Sequence, residues 1–384
     1  MRILDRGIAA LGAALVLGGV GLALRKAPAP TAIRAEQAGP QRGPSNGTSA
    51  HVFVLESARG VDENGDPIAI AQSDVVDVEV TAAGKIGARR VVGTIPRSPR
   101  GAVRGVVDGA GTVFVIANEE DHDYGASLFR VEGGRVVKLT EGALRGSRPL
   151  VANGVAYAEL GAEGVAGEGE VRVDDLQVVA FDSSGAKSVL YAGRAFALHL
   201  AGTDADGDLL IYDVRPEGAA IVTVSRQGRV LRRDSVEPFA RDFTRDGARL
   251  VFANHAPATV DHDTPWTVEA LDLVHHTQTV IHEERAFQPA PFAFGGATWF
   301  TASSSENGKE SRIFHGQRPA PLAAGDFAAM EAIDGAGAHA LVRRAGGGEE
   351  TLVFLDVASG IETPLDDERS TASPIGFVGG EVVR

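Results

Sequence analysis

The chain has 384 residues, 44% of them hydrophobic and 23% charged, with a formal net charge of −14 and no cysteine. This length allows one large domain or two medium ones, and the apolar content supports a sizeable core. The charge speaks against a nucleic-acid partner, because no basic face is offered to phosphates; the missing thiols exclude disulfides, thiolate metal sites and cysteine nucleophiles.

Gly7 to Leu24 is an uncharged run of 18 residues, with Arg2 and Arg6 before it and Arg25 and Lys26 after it. As a helix, such a run just crosses a bilayer. Its basic start and apolar segment also fit a signal peptide with Ala27-Pro28-Ala29 as the small-residue site. The prolines at 28 and 30 suit cleavage poorly, so an uncleaved anchor is the favoured reading. Residues 1–26 are therefore expected to be one hydrophobic helix, a signal anchor or signal peptide. Residues 27–50, rich in Pro, Ala, Gly, Gln and Ser, read as a flexible linker.

Residues 51–384 read as strand, turn, strand throughout, with no long amphipathic helical pattern. The clearest unit runs from Phe243 to Ile281. An Asp246-Gly247 turn, where Gly supplies positive φ, leads into Arg249-Leu250-Val251-Phe252; runs at Trp266–Leu273 and Thr277–Ile281 follow. A meander of this size cannot bury both faces alone and needs copies stacked beside it. Copies open at Asp108-Gly109, Asp206-Gly207 and Asp334-Gly335, and weaker ones at Asn153-Gly154 and Gly295-Gly296, about 38 to 53 residues apart. Their spans fall near 51–97, 104–141, 149–193, 197–237, 240–282, 288–323 and 329–365. The first lacks an inner strand, and the segment Pro374–Val383 has the character of the missing piece. The expectation is an all-β, seven-bladed β-propeller closed by its C-terminal strand. Rings of six or eight blades stay open, because the third and sixth copies are degenerate.

The pattern Phe243-x-x-Asp246-Gly247-x-x-Leu250-x-Phe252, followed by Leu271-Asp272-Leu273 and a turn, resembles the repeat of TolB-like, WD-repeat-type propellers. It is also similar to the repeat in the propeller domains of prolyl oligopeptidase relatives. Arg245 stands where that family usually has Pro. The resemblance implies a propeller and, through TolB-like proteins, a periplasmic scaffold that binds protein partners. The repeat's residues are structural, so it carries over no functional residue.

No Gly-x-Ser-x-Gly elbow, HExxH, P-loop or Rossmann fingerprint occurs. Asp-His-Asp occurs twice, at Asp121-His122-Asp123 and Asp261-His262-Asp263, both between the second and third strands of their copies. His with carboxylates suits a divalent cation, Ca²⁺ or another. Asp62-Glu63-Asn64-Gly65-Asp66 places oxygens at alternate positions like the start of a calcium loop, but Ser73 stands where the closing Glu belongs. Asp204-Ala205-Asp206-Gly207-Asp208 has the same alternation, and solvated turns explain both. His199 reads as a core or channel histidine, and His275-His276 as a solvated turn. Loops after the second strands carry Asp62, Asp66, Glu119, Glu120, Glu159, Glu217 and Glu349-Glu350, with Arg215, Arg343 and Arg344 among the sparser cations. These loops should leave one end of the ring and form an acidic binding face. The functional expectation is a non-enzymatic envelope scaffold or recognition module for a protein or cell-envelope ligand, a basic one in particular. The membrane is reached through residues 7–24. The alternative is a propeller enzyme, a metal-assisted lactonase or a glycan lyase or hydrolase.

Overall fold

The computed structural model describes residues 50–61, 67–69, 72–81, 85–98, 103–119, 125–144, 147–161, 174–255, 266–284, 287–294, 297–303, 311–315, 321–325, 328–334, 337–346, 349–357, 359–366, 370–378 and 381–382. The Gly7–Leu24 run and the linker up to Ser49 lie outside these residues. Among the described residues there are strands and turns only, and no helix is long and apolar enough to cross a membrane.

The strands form antiparallel meanders in a propeller-like arrangement. β1 (Ala50–Val61) pairs with β2 (Pro67–Ala69) at one end and with β3 (Gln72–Val80) along its length, and β3 pairs with β4 (Ile86–Pro96). β5 (Val103–Val107), β6 (Val113–Ala117), β7 (Gly125–Glu132) and β8 (Arg135–Leu144) follow in order. β9 (Leu150–Ala152), β10 (Val155–Leu160), β11 (Asp174–Phe181) and β12 (Lys187–Ala195) form the next meander, joined to the previous one by the single pair Leu160–Ala143. Then come β13 (Ala197–Thr203), β14 (Leu209–Arg215), β15 (Gly218–Val224) and β16 (Val230–Val236), and after them β17 (Arg241–Asp246), β18 (Arg249–His255), β19 (Trp266–Asp272) and β20 (Gln278–Glu284). β21 (Phe287–Phe294), β22 (Ala297–Ser303), β23 (Ser311–His315) and β24 (Pro321–Gly325) precede β25 (Ala328–Ile333), β26 (His339–Gly346), β27 (Glu349–Asp356) and β28 (Glu362–Pro364). β29 (Ser370–Phe377) returns to pair with β1, Phe377 opposite Val52 and Ser370 opposite Ala58, and β30 (Glu381–Val382) pairs with β25. The spans expected from the sequence agree with these meanders to within a few residues. The expected return of the C-terminal strand to the N-terminal strands is observed.

Burial grades across each meander, and the sequence follows it. In β14 six consecutive residues, Leu209 to Val214, are buried, because neighbouring meanders cover both faces of a second strand. In β16 no residue is buried, and Arg232, Arg233 and Asp234 stand in succession at its middle. The core therefore lies between meanders. Tyr157, Val178 and Tyr191 pack against Leu198, Leu209 and Ile211; Leu210, Tyr212 and Ile221 against Phe243, Leu250 and Phe252. The ends of the chain are joined in the same way. Val52, Val54 and Val76 share a cluster with Leu341, Leu352, Phe354 and Leu365. Fully burying one such Val, Leu or Phe side chain stabilises by about 1.5–3 kcal/mol. Asp366 reinforces that junction by accepting the backbone N–H of Leu352 on β27 at 2.7 Å and that of Ala372 on β29.

Four of the turns share one device. Asp108, Asp182, Asp204 and Ser225 each accept, through a side-chain oxygen, the backbone N–H groups two and four residues ahead. Each turn then closes on a Gly with positive φ: Gly111, Gly185, Gly207 and Gly228. The first opening turn is thus set by Gly111, one pair of residues beyond the expected Gly109. Asp204 Oδ1 is satisfied by the N–H groups of Asp206 and Asp208, both at 2.9 Å, which accounts for the acidic alternation without an ion.

Candidate functional site

The two Asp-His-Asp tripeptides, Asp121-His122-Asp123 and Asp261-His262-Asp263, lie outside the described residues, as do Glu120, Asp62 and Asp66. Among the described residues no group of three His, Asp or Glu side chains is arranged to hold a metal ion. Glu119 is described. It receives Lys138 Nζ at 2.6 Å and the Ser127 hydroxyl, so its charge is matched within its own meander. Glu159 belongs to β10 and is buried, contrary to its expected place on an acidic loop face. It accepts the Leu200 backbone N–H at 2.6 Å and lies 3.4 Å from His199 Nδ1. Arg215, Arg343 and Arg344 are likewise strand residues of β14 and β26 rather than loop cations. His199, on the inner strand β13, stacks on Tyr212 with ring centroids 6.3 Å apart. His275 is an exposed turn residue paired with Asp272 at 2.9 Å, whose carboxyl is held at about 2 by N–H groups and by that histidine.

The concentration of charge that the sequence did not single out lies at the centre, where inner strands from several meanders meet. Glu331 on β25 accepts Arg343 Nε at 2.9 Å, and Arg148, just before β9, brings a guanidinium nitrogen to 3.9 Å of the same carboxylate. Arg104 on β5 adds a longer-range attraction. Burial alone would push the Glu331 carboxyl up; the fields of Arg343, Arg148 and Arg104 and the Arg343 hydrogen bond outweigh it and hold it below its ordinary value. On β17, Arg241 Nε lies 3.2 Å from Asp242, which also feels Arg148. There burial prevails, and the Asp242 carboxyl is raised. Water still reaches this pair, with Arg241 38% and Asp242 30% exposed.

Local backbone irregularities aim both carboxylates at this place. The β25–β26 register shifts between Met330 and Ala332, leaving Glu331 as the extra residue, and the β17–β18 register shifts between Arg241 and Thr244. Asp242 there has a φ of 53°, a left-handed conformation that non-glycine residues seldom adopt. Bulges of this kind re-aim side chains and are frequent beside functional sites. Arg104 is the second residue of β5, Arg148 precedes β9, Arg241 and Asp242 begin β17, and Arg343 pairs with Ala329 near the start of β25. The cluster therefore sits at the end where inner strands begin. The connections between second and third strands leave from that same end. The available signal in the sequence was a charge inside a short apolar strand, as in Ala328-Ala329-Met330-Glu331-Ala332-Ile333.

A second charged network lies at the outer rim. Asp213, fully buried, accepts Tyr191 Oη at 2.5 Å and Arg215 Nε at 2.8 Å, with Arg233 at 3.2 Å. It ties β12 to β14 and β16.

An all-β, propeller-like chain with a charged centre defines the class, a β-propeller protein. In fold it is similar to a protein from Lactobacillus plantarum (TM-score 0.53, 13% identity, 87% of this chain and 100% of that one covered). A candidate 6-phosphogluconolactonase from Bacteroides fragilis is similar too (TM-score 0.50, 12% identity, 87% and 98% covered). So is TolB from Acinetobacter baumannii (TM-score 0.47, 9% identity, 86% of this chain covered); the chain spans 66% of the TolB chain's length. No protein-family model and no curated protein matches the chain.

Proposed function

We propose that the chain is a non-enzymatic recognition propeller of the bacterial cell envelope. Its meanders form seven blades closed into one ring by β29. Residues 1–26 anchor or export it, residues 27–50 act as a linker, and the ring is presented to a protein or envelope ligand. The observation that carries this reading is the Arg148–Glu331–Arg343 grouping. It draws on separate meanders, is set by a bulge, and holds its carboxylate ionised between guanidiniums. Such a fixed polar surface suits recognition better than proton transfer, which needs a carboxyl poised near the working pH. The acidic loop residues Asp62, Asp66, Glu119 and Glu120 supply the rim in this reading. Charge complementarity of that kind governs partner choice and encounter rate.

The test is recovery of partners from envelope extract by the full chain and by Arg148→Gln. A partner held by the parent and released by the variant supports the reading; equal recovery by both removes it. For the leader, an intact N-terminus in the membrane fraction, released only by detergent, supports the anchor. A soluble chain beginning near residue 27 to 31 shows cleavage instead.

A second reading is favoured by one observation, the raised carboxyl of Asp242 on a strained backbone. In it the protein is a propeller enzyme, a metal-assisted lactonase or glycan lyase or hydrolase. Asp242 exchanges a proton, and Asp121, His122, Asp123, Asp261, His262 and Asp263 supply ligands for a divalent cation. Stoichiometric metal in the purified chain, with activity lost in Asp242→Asn, decides for it.

A further inference from the structure

We propose that His339 is a pH-sensitive clasp on the seam between β1 and β29. A protonated imidazole holds the seam shut, and loss of the proton lets β29 part from β1. The proposal stands on the observed pairing of these two strands and is independent of what the protein recognises.

The seam is built to part. No turn joins β1 to β29; ladder hydrogen bonds and a shared apolar cluster hold them together. Pro374, opposite Val54, has no N–H to give, and the register shifts beside it, between Phe53 and Val54. Both features thin the ladder within its length. Segments held in this way open locally at free energies below that of global unfolding.

A row of rings connects the seam to one titratable group. The His339 imidazole lies against Phe354 of β27, with centroids 5.0 Å apart and planes tilted by 31°. Phe354 lies against Phe377 of β29, with 6.2 Å between centroids. Phe377 stands opposite Val52 on β1, and Phe354, Phe377 and Val52 belong to one buried cluster. A change at the imidazole is therefore felt two rings away, because close-packed interiors transmit strain.

The charges around His339 give the proton its effect. Its Nδ1 donates to Asp334 Oδ2 at 2.7 Å, and Asp356, opposite His339 in the β26–β27 register, acts on it from β27. Phe354 and Phe377 add no charge. Asp334 is also held by the Ala338 N–H, and Asp356 by the N–H and hydroxyl of Ser359, so both carboxylates stay in place when the proton leaves. Both acids favour the imidazolium, and an aromatic face attracts a cation. The hydrogen bond to Asp334 and the fields of the two acids raise the histidine against the burial that lowers it. Deprotonation leaves two carboxylates around a neutral ring. The clasp is complete below about pH 6.5 and is released as pH rises through the raised value.

The chain has no cysteine, so a single introduced thiol reports on one place. The experiment measures alkylation by iodoacetamide of two variants of the full chain in detergent. Ala372→Cys on β29 reports on the seam and Ala270→Cys on β19 on a distant meander; both alanines are buried. The ratio of the two rates cancels the pH dependence of the thiolate itself. The expected result is a seam-to-control ratio that rises at least about threefold between about pH 6 and about pH 8.5. Adding His339→Gln should hold the ratio at its high-pH value at both ends of that interval. Asp334→Asn should do the same, and it keeps the proposal testable should His339→Gln fail to fold. A ratio that does not change with pH overturns the proposal, as does a rise that persists in both variants. Two thiols that gain reactivity together at a constant ratio would show global loosening without a clasp, and that too overturns it.

Discussion

Arg148 and Glu331 lie within 3.9 Å of each other although one precedes β9 and the other sits on β25. Their approach across the centre exists only because the meanders curl round a common axis. It makes the Glu331 carboxylate answerable to charges from three separate parts of the chain. Removing one partner of such a pair leaves the other charge buried without compensation. Glu331→Gln is therefore expected to cost about 3 kcal/mol, the lower end for a buried pair because the site is partly hydrated. Urea unfolding of parent and variant checks this; a difference below about 0.5 kcal/mol would show that the carboxylate is not needed to hold the arginines.

The junction of the chain ends yields a second expectation. β29 supplies the partner for β1 from Val52 to Ala58, and Phe377 belongs to the cluster formed with Phe354 and Leu352. Deleting residues 370–384 exposes that edge, and unpaired edges template aggregation. Light scattering should report association at concentrations where the full chain stays dispersed. A dispersed truncated chain with an unaltered unfolding midpoint would refute the closure.

Two glycines separate backbone strain from steric conflict. Gly247 has a φ of 58° with open space around an added Cβ, whereas Gly228 has a φ of 81° and would place that Cβ 3.0 Å from the Leu190 carbonyl oxygen on the neighbouring β12. Gly247→Ala should cost about 1 kcal/mol, the left-handed penalty alone. Gly228→Ala should cost about 1–3 kcal/mol more, because a backbone carbonyl must move. The order of the two denaturation midpoints is the check, and reversal would refute the account.

The His339–Asp334 pair gives stability a pH dependence. The ring sits 2.7 Å from the carboxylate and the hydrogen bond raises the histidine; burial would raise Asp334, but that contact together with the backbone N–H groups of Ala338 and His339 lowers it. The histidine's folded value lies above its unfolded value. Its contribution is therefore complete below about pH 6.5 and lost as pH rises through the raised value. The carboxyl's folded value lies below its unfolded value. Its contribution is complete above about pH 3.9 and lost as pH falls through the lowered value. The stability difference between parent and His339→Gln should thus be greatest near pH 5 to 6 and shrink by about pH 8.5. A difference independent of pH over that interval would show that the pair contributes no charge interaction.

The sequence by itself determined the local units. Runs such as Leu209-Leu210-Ile211-Tyr212 can only be second strands covered on both faces, and Asp or Ser four residues before a turn's end, with Gly between, fixes where strands reverse. Those are short-range constraints of φ, hydrogen bonding and burial, which is why the meander spans were legible almost to the residue. The missing inner strand of the first meander was legible too, since an unpaired edge demands a partner and Pro374–Phe377 was the one segment left over. The charged centre was not. Arg104, Arg148, Asp242 and Glu331 are scattered singly along the sequence, and no spacing relates them. Only the curl of the meanders brings inner strands together, with register shifts at Asp242 and Glu331, and both carboxylates come within the field of Arg148. Glu159 shows the same limit in reverse. Its sequence neighbours suggested a surface acid, but long-range packing buried it against the Leu200 backbone N–H. Where a charge ends up depends on contacts between residues far apart in the chain, and those are decided by tertiary structure alone.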